Sequence, residues 1–288
     1  MSQQMPLTIS SWSLGDRCTF AQRVSAAKNA GFEGIGLRAE TYVDARNEGL
    51  SDRDILQILD TYQLKVTEVE YIVQWAEEHR SYEQKYKEQL CFHMCELFHV
   101  QHINCGLMED YSVAHTAEKL RELCRRADGL DIGVEPMPYS GIPNVEKGWA
   151  VVRESGMENA KLILDTWHWV RANQPNTVEA LKGIPPEKIV SIQINDVHDH
   201  PYPASVLRDE SMHDRLAPGT GCGDTAGFLR MIRDKGINPR SVGVEVISDP
   251  ILARGVHETA AYLYETTKAV LRQVWPEVLP EQEETNEL

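Results

Sequence analysis

Eight short runs of β-branched and apolar residues recur along the chain, and most of them precede a segment of helical character. The runs are LTISSWSL, FEGIGLRAE, KVTEVEYI, HINCGL, DIGVEPM, AKLILDTWH, IVSIQINDV and SVGVEVIS. Strands that alternate with helices form a parallel sheet with right-handed crossovers. The pattern therefore predicts an α/β protein, a single (β/α)8 TIM barrel over residues 1–276, followed by an acidic and flexible tail over residues 277–288.

Residues that start and stop helices lie where this alternation needs them. Ser51 precedes DRDILQILD as an N-cap, and Gly31, Gly156 and Gly236 follow helical runs. A doubly wound open sheet shows the same alternation and is the alternative architecture. Its dinucleotide-binding form needs a glycine-rich turn after the first strand, and SWSLGDRCTF has no such turn.

Alternate residues of a barrel strand face the lumen, so position along the strand assigns each side chain to one side. In DIGVEPM, Ile132 and Val134 would face the helices and Glu135 the lumen. The same parity turns one oxygen-bearing side chain of each of the last four strands inward, near the strand end where barrel enzymes place their chemistry. These donors are Glu135, Asp165, Gln193 and Glu245. We expect them to meet at one mouth of the barrel.

Three buried carboxylates repel one another, and a divalent metal is the simplest way to keep them ionised together. Carboxylate and amide oxygens suit a hard cation. The sequence therefore predicts one divalent ion, Mn²⁺ first, with Mg²⁺, Co²⁺ or Zn²⁺ as alternatives. Gln193 would coordinate either directly or through water. The structural alternative is a set of core polar side chains, bridged by hydrogen bonds and water or paired with arginines.

Several motifs resemble the sugar phosphate isomerase/epimerase superfamily, the xylose-isomerase-like barrels, from about Leu7 to Leu271. They are GFEGIGLR, GVEPM, LILDTWH, IQINDVH, PGTGCGD and GVEV. The resemblance implies that Glu135, Asp165 and Glu245 bind the metal. It also implies that Glu135 and Glu245 act as the acid/base pair, and that His168 contacts substrate.

Gln193 stands where the commonest family form has His in the motif H-x-x-D, while Asp196 keeps the second part of that motif. Gln recurs in members that resemble 3-dehydroshikimate dehydratases, whose seventh strand reads Q-x-x-D followed by Arg and a PG-x-G turn. Gln193 is therefore the residue that best discriminates between an isomerase and a lyase.

The resemblance implies an isomerase or epimerase that acts on a sugar, sugar phosphate or keto-sugar through an enediolate. The alternative is a metal-dependent lyase that dehydrates a 3-dehydroshikimate or keto-inositol substrate, or cleaves a keto-glycoside. An abasic-site endonuclease shares the fold but needs further His and Asp ligands and a basic face.

Other residues are candidates for contact with substrate. Glu70 has inward parity on the third strand. The stretch from His198 to Gly223 is long enough for a binding loop or lid, and Arg215 within it would bind a substrate oxygen or act as a structural ion-pair partner. Candidates for lining the pocket are Trp12, Arg38 and Tyr139.

Composition narrows the partners. A formal net charge of −15 opposes binding to nucleic acid. No secretory signal is evident, no stretch reaches the ~20 apolar residues of a membrane helix, and the six scattered cysteines favour free thiols. We expect a cytoplasmic protein that binds a small carbohydrate or cyclic polyol and neither nucleic acid nor membrane. The resemblance leaves a homodimer or a homotetramer open.

Overall fold

A computed structural model describes residues 5–172, 178–199 and 203–279. Within them, eight parallel strands close into a barrel in chain order. The strands are β1 (Leu7–Ser10), β2 (Gly34–Arg38), β3 (Lys65–Ile72), β4 (His102–Cys105), β5 (Asp131–Val134), β6 (Ala160–Asp165), β7 (Ile189–Ile194) and β8 (Val242–Val244). Because β1 pairs with both β2 and β8, the sheet has no open edge, and the predicted (β/α)8 barrel is confirmed.

Helices surround the barrel and connect its strands. They are α1 (Phe20–Ala30), α2 (Ala39–Asn47), α3 (Asp52–Tyr62), α4 (Tyr82–Phe98), α5 (Val113–Arg126), α6 (Val145–Ser155), α7 (Thr166–Arg171), α8 (Val178–Lys182), α9 (Leu207–His213), α10 (Thr225–Asp234), α11 (Asp249–Leu252) and α12 (Val256–Val274). The Ser51 hydroxyl caps α3 by accepting the backbone N–H of Asp54, as the sequence predicts. None of the described helices combines the length and apolar character that a bilayer crossing requires.

The strands separate an apolar layer from a polar lumen. Ile132, Val134 and Val244 are fully buried in the apolar core that joins the strands to the helices. Buried polar side chains, in contrast, hydrogen bond to one another across the barrel, as Ser191 does to Glu68. The alternation expected from strand pleating therefore separates the two sides of the barrel wall, apart from register shifts where β3 pairs with its neighbours and where β6 pairs with β7.

Most of the predicted runs extend past the end of the observed strand, and in some of them the chain enters a helix at once. After β1 the chain forms a short 3-10 helix, Ser11–Leu14, and after β6 it enters α7 directly. The second change follows from Asp165, whose side chain accepts the backbone N–H of His168 and so caps α7.

The segment that follows β7 contains a 3-10 helix, Ala204–Val206, and α9, with 200–202 outside the described residues. Antiparallel bridges of Asp196 with Leu216 and of Asp214 with Ser248 attach it to the barrel mouth. The predicted tail lies outside the described residues from 280 onward, whereas its first residues belong to a short 3-10 helix, Pro276–Val278, in which Val278 is buried.

Candidate metal centre and active site

Three carboxylates meet at the C-terminal mouth of the barrel. Asp165 is the last residue of β6, Glu135 directly follows β5, and Glu245 directly follows β8. Each offers one oxygen atom, these atoms all lie within 4.8 Å of one another, and all three residues are buried. The predicted convergence is therefore confirmed for the three carboxylates, while their role as ligands stays a prediction.

The proximity of these carboxylates makes their ionisation costly. Burial raises the pKa of Glu245 to about 7, with Glu135 and Asp165 adding to the effect and Arg215 opposing it. Burial likewise raises the pKa of Glu135, and a hydrogen bond with Tyr71 opposes that rise. A cation between these oxygens would therefore favour the ionised forms.

Gln193 lies beside Asp165 in the register of β7 with β6. Its amide nitrogen donates to Glu70 Oε1 at 3.2 Å, whereas its amide oxygen is buried and has no hydrogen-bond partner among the described residues. A buried acceptor without a partner costs about 1–3 kcal/mol, which coordination to a cation would offset. The four oxygen donors predicted from sequence thus fit a hard divalent ion.

Arg215 is the cation of this cluster. Its Nη1 donates to Asp165 Oδ2 and to Glu245 Oε2, both at 3.1 Å. Its Nε and Nη2 donate to the carbonyl and the hydroxyl of Ser211, both at 2.8 Å. The structure therefore shows the ion-pair alternative left open by the sequence. Arg215 also lines the cavity described below, so a substrate contact stays a prediction.

Asn195 is a site residue that the sequence analysis missed. Its amide nitrogen donates to Asp165 Oδ2 at 2.7 Å and to the backbone carbonyl of Glu245 at 3.1 Å. The inward parity of Ser191 and Gln193 continues to Asn195, so the signal was present in the sequence. Asn195 and the backbone N–H of His168 thus hold different oxygens of Asp165.

His168 belongs to the first turn of α7. Its backbone N–H donates to Asp165 Oδ1 at 2.9 Å, which makes their three-residue spacing a helix-capping relationship. Its ring Nε2 lies 3.2 Å from Glu135 Oε1. Burial lowers the pKa of His168 to about 3, so the ring is neutral at physiological pH and keeps one donor and one acceptor nitrogen.

A cavity of about 240 Å³ opens beside the carboxylates. The expected lining residues Trp12, Arg38 and Tyr139 are in its wall, together with His168, Arg215 and Glu245. Its apolar wall includes Met137, Met212 and Ile247. Glu70, which the sequence offered as a substrate contact, is 1% exposed and lies outside this lining.

Asp196 holds a turn beside the site. Its carboxylate accepts the backbone N–H groups of Gly221 at 3.0 Å and Gly223 at 2.7 Å, both in the PGTGCGD turn. A third bond comes from the backbone N–H of Val197 at 2.9 Å. Asp196, the second part of the family motif, therefore makes contacts that hold this turn.

A family model described as Xylose isomerase-like TIM barrel matches residues 24–272. The 3-dehydroshikimate dehydratase of Pseudomonas aeruginosa is 31% identical over 172 residues, which cover 56% of this chain and 26% of that protein. The 3-dehydroshikimate dehydratase of Pseudomonas putida is 30% identical over 153 residues, which cover 50% and 23%. The chain thus spans about a quarter of the length of these curated relatives.

Among solved structures, the IOLI protein with a binding zinc atom has a TM-score of 0.81 at 18% identity, and the match covers 94% of this chain and 99% of that chain. At this identity the likeness shows the fold.

The curated relatives overturn the expectation of an isomerase or epimerase, because both are named dehydratases. They favour the lyase alternative. Isomerisation and dehydration share the removal of a proton beside a carbonyl. The metal ligands predicted from the sequence therefore fit both reactions. The reactions diverge only at the substrate, where a β-hydroxyl either stays or leaves.

Proposed function

This chain belongs to the xylose isomerase-like TIM barrel family, and we propose that it is a divalent-metal-dependent lyase that dehydrates 3-dehydroshikimate or a similar carboxylated cyclic hydroxyketone. The observation that carries the proposal is the group of three buried carboxylates within 4.8 Å of one another, beside a cavity. The two dehydratases among the relatives support the reaction class.

The metal would be held by Glu135, Asp165, Gln193 and Glu245, and Mn²⁺ is our first choice of ion. When bound, it would act as a Lewis acid toward the negative charge that develops on a carbonyl oxygen as the adjacent proton leaves. Gln193 supports this assignment because its amide oxygen is buried without a hydrogen-bond partner among the described residues.

Dehydration needs a base for the proton beside the carbonyl and an acid for the departing hydroxyl. Glu245 suits the base, because it lines the cavity and a bound cation would keep its carboxylate ionised. Glu135 is the second acid/base group. His168, neutral and with its ring Nε2 3.2 Å from Glu135 Oε1, would contact a substrate oxygen and orient it. These roles use side chains that line the same cavity.

The carboxylate of such a substrate requires a cation. Arg215 already donates to Asp165 and Glu245. Arg38 also lies in the cavity wall, with its guanidinium 3.5 Å from the centre of the Trp12 ring, and its Nε is 3.5 Å from the half-exposed carboxylate of Glu40. We propose Arg38 as the counter-ion, because a guanidinium can bind a carboxylate with two parallel hydrogen bonds. Met137, Met212 and Ile247 in the same wall would limit the access of water.

The test is a substrate screen with metal-stripped and Mn²⁺-loaded protein. Candidate substrates are 3-dehydroshikimate, a keto-inositol and neutral keto-sugars, followed by mass spectrometry in deuterated water. We expect metal-dependent loss of one water from 3-dehydroshikimate, with the appearance of aromatic ultraviolet absorbance. Deuterium uptake without loss of water, or turnover that is unaffected by removal of the metal, would contradict the proposal.

A further inference from the structure

Two buried glutamates follow one another on the lumen side of β3, beneath the candidate metal centre. Glu68 and Glu70 have the same parity, and each is 1% exposed. Glu68 accepts hydrogen bonds from the hydroxyls of Ser191, at 2.5 Å, and Ser241. Apart from its interaction with Glu70, its partners are therefore short hydroxyl side chains of the barrel lumen.

Glu70 has a different set of partners. Its Oε1 accepts the side-chain amide N–H groups of Asn104 at 3.0 Å and of Gln193 at 3.2 Å. Its Oε2 lies 3.5 Å from the hydroxyl of Ser10, which donates to it. Both oxygens of Glu70 thus have partners in the lumen, which is consistent with its position outside the cavity lining.

This contact restricts Gln193 to one orientation of its amide. The amide presents an acceptor on one side and donors on the other, and only the donor side can meet an oxygen that already accepts from Asn104. Rotating the amide by a half turn would place its oxygen against Glu70 Oε1, acceptor against acceptor. The amide oxygen is accordingly directed away from Glu70, where it is buried without a hydrogen-bond partner among the described residues.

We infer that Glu70, supported by Asn104, is a positioning residue that fixes the amide of Gln193 so that its oxygen, and not its nitrogen, is available to the metal. The inference rests on the proposed metal centre. Orientation decides coordination at this position because an amide nitrogen is not a ligand for a hard cation, whereas the oxygen is. Removal of a residue that hydrogen bonds to a metal ligand typically lowers metal affinity by about 10–100-fold.

The experiment compares Glu70→Met with Glu68→Met, its neighbour of the same parity, type and burial. Mn²⁺ affinity is measured by titration calorimetry, and coordination by the visible absorption of Co²⁺-loaded protein. We expect Glu70→Met to weaken Mn²⁺ binding by about 10–100-fold and to alter the Co²⁺ spectrum. Glu68→Met should lose thermal stability while it keeps the affinity and the spectrum of the unmodified protein.

A double-mutant cycle shows whether Glu70 acts through Gln193. In a Gln193→Ala background, Glu70→Met should cause no further loss of Mn²⁺ affinity, because no amide remains to be oriented. Additive losses would overturn the inference, as would equal affinities of Glu70→Met and Glu68→Met. Absence of Mn²⁺ binding by the unmodified protein would also overturn it.

A conservative variant covers the case in which Glu70→Met does not fold. Glu70→Gln keeps an oxygen that can accept from Gln193, so its Mn²⁺ affinity should match that of the unmodified protein. A tenfold loss in that variant would assign the effect to charge and overturn the inference. If the unmodified protein binds Mn²⁺ as expected but does not dehydrate 3-dehydroshikimate, the proposed function fails and the positioning role of Glu70 still stands on affinity and spectrum.

Discussion

Arg215 Nη1 lies 3.1 Å from Glu245 Oε2, and both side chains are buried. The same nitrogen donates to Asp165 at the same distance. Burial disfavours the guanidinium charge, yet these two carboxylates raise the pKa of Arg215. The guanidinium of Arg215 is thus shared between two carboxylates. With Glu135, the cluster contains three carboxyl groups and one guanidinium group.

Removing this shared cation should make the protein depend on metal for its stability. We expect Arg215→Met to lower the free energy of unfolding of the metal-free protein by about 3–5 kcal/mol, because two buried carboxylates lose their partner. Mn²⁺ should then raise the melting temperature of the variant by more than it raises that of the unmodified protein. Thermal melts in chelator and in Mn²⁺ measure both effects.

The matched control is Arg171→Met, which removes another buried ion pair, with Glu210 at 2.6 Å, outside the carboxylate cluster. It should destabilise the protein equally with and without metal. If both arginine variants respond to Mn²⁺ in the same way, Arg215 does not share the metal centre.

Glu245→Gln should abolish turnover and weaken metal binding, because it replaces both a charged ligand and the proposed base by a neutral amide. Metal content by elemental analysis and initial rates are the measurements. Glu109→Gln is the control, since Glu109 also lines the cavity but does not belong to the carboxylate triad. Unchanged metal content and rate in Glu245→Gln would exclude the proposed site.

Metal affinity should fall as the pH decreases below about 7. Glu245, whose pKa is raised to about 7 by burial, must lose its proton before it can coordinate. Affinity is then full above that pH and decreases by about tenfold for each unit below it, for one competing proton. Calorimetric titrations between about pH 8 and about pH 5.5 test this, and Glu245→Gln should show a shallower dependence. A constant affinity across the range would contradict the assignment.

Arg38→Met should raise the KM for 3-dehydroshikimate by about 10–100-fold with little change in kcat, because a charge-assisted hydrogen bond to the substrate carboxylate is lost. Arg46→Met removes the same charge from a pair with Asp52 outside the cavity lining and should leave KM unchanged. The methyl ester of the substrate should show a smaller difference between Arg38→Met and the unmodified protein. Equal effects on acid and ester would refute the proposed contact.

Asp196→Ala should lower the free energy of unfolding by about 1–3 kcal/mol, because the N–H groups of Gly221 and Gly223 lose their acceptor. Mn²⁺ affinity should stay near that of the unmodified protein, since the carboxylate holds the turn and not the metal. Asp196→Asn, which keeps one acceptor oxygen, should lose less stability. A loss of metal affinity at unchanged stability would instead assign Asp196 to the metal centre.

The sequence contained enough information to predict the barrel and three of its site residues. Strand pleating has a period of two, so a side chain of known parity near a strand end has a known side and depth. That reasoning placed Glu135, Asp165 and Glu245 correctly at one mouth. The same reasoning applies to Asn195, which has the parity of Gln193 at the end of β7 and contacts Asp165.

Arg215 and Gln193 show where the sequence is insufficient. Arg215 lies in an irregular segment whose path is set by bridges such as that of Asp214 with Ser248, and no periodic pattern encodes that path. The oxygen donor of Gln193 is directed by Glu70, which is 123 residues away in sequence. Parity gave the side of the barrel for Gln193 but not the orientation of its amide.

The sequence by itself thus determined the closed barrel, its inward carboxylates and the family, because these depend on strand pleating and local motifs. Only the tertiary structure decided that Arg215 neutralises two of the carboxylates, that Asp196 holds a turn, and that Glu70 supports Gln193 from below. The physical reason is that a hydrogen bond between distant residues depends on distances of a few tenths of an ångström, which are fixed only when all the strands are packed together.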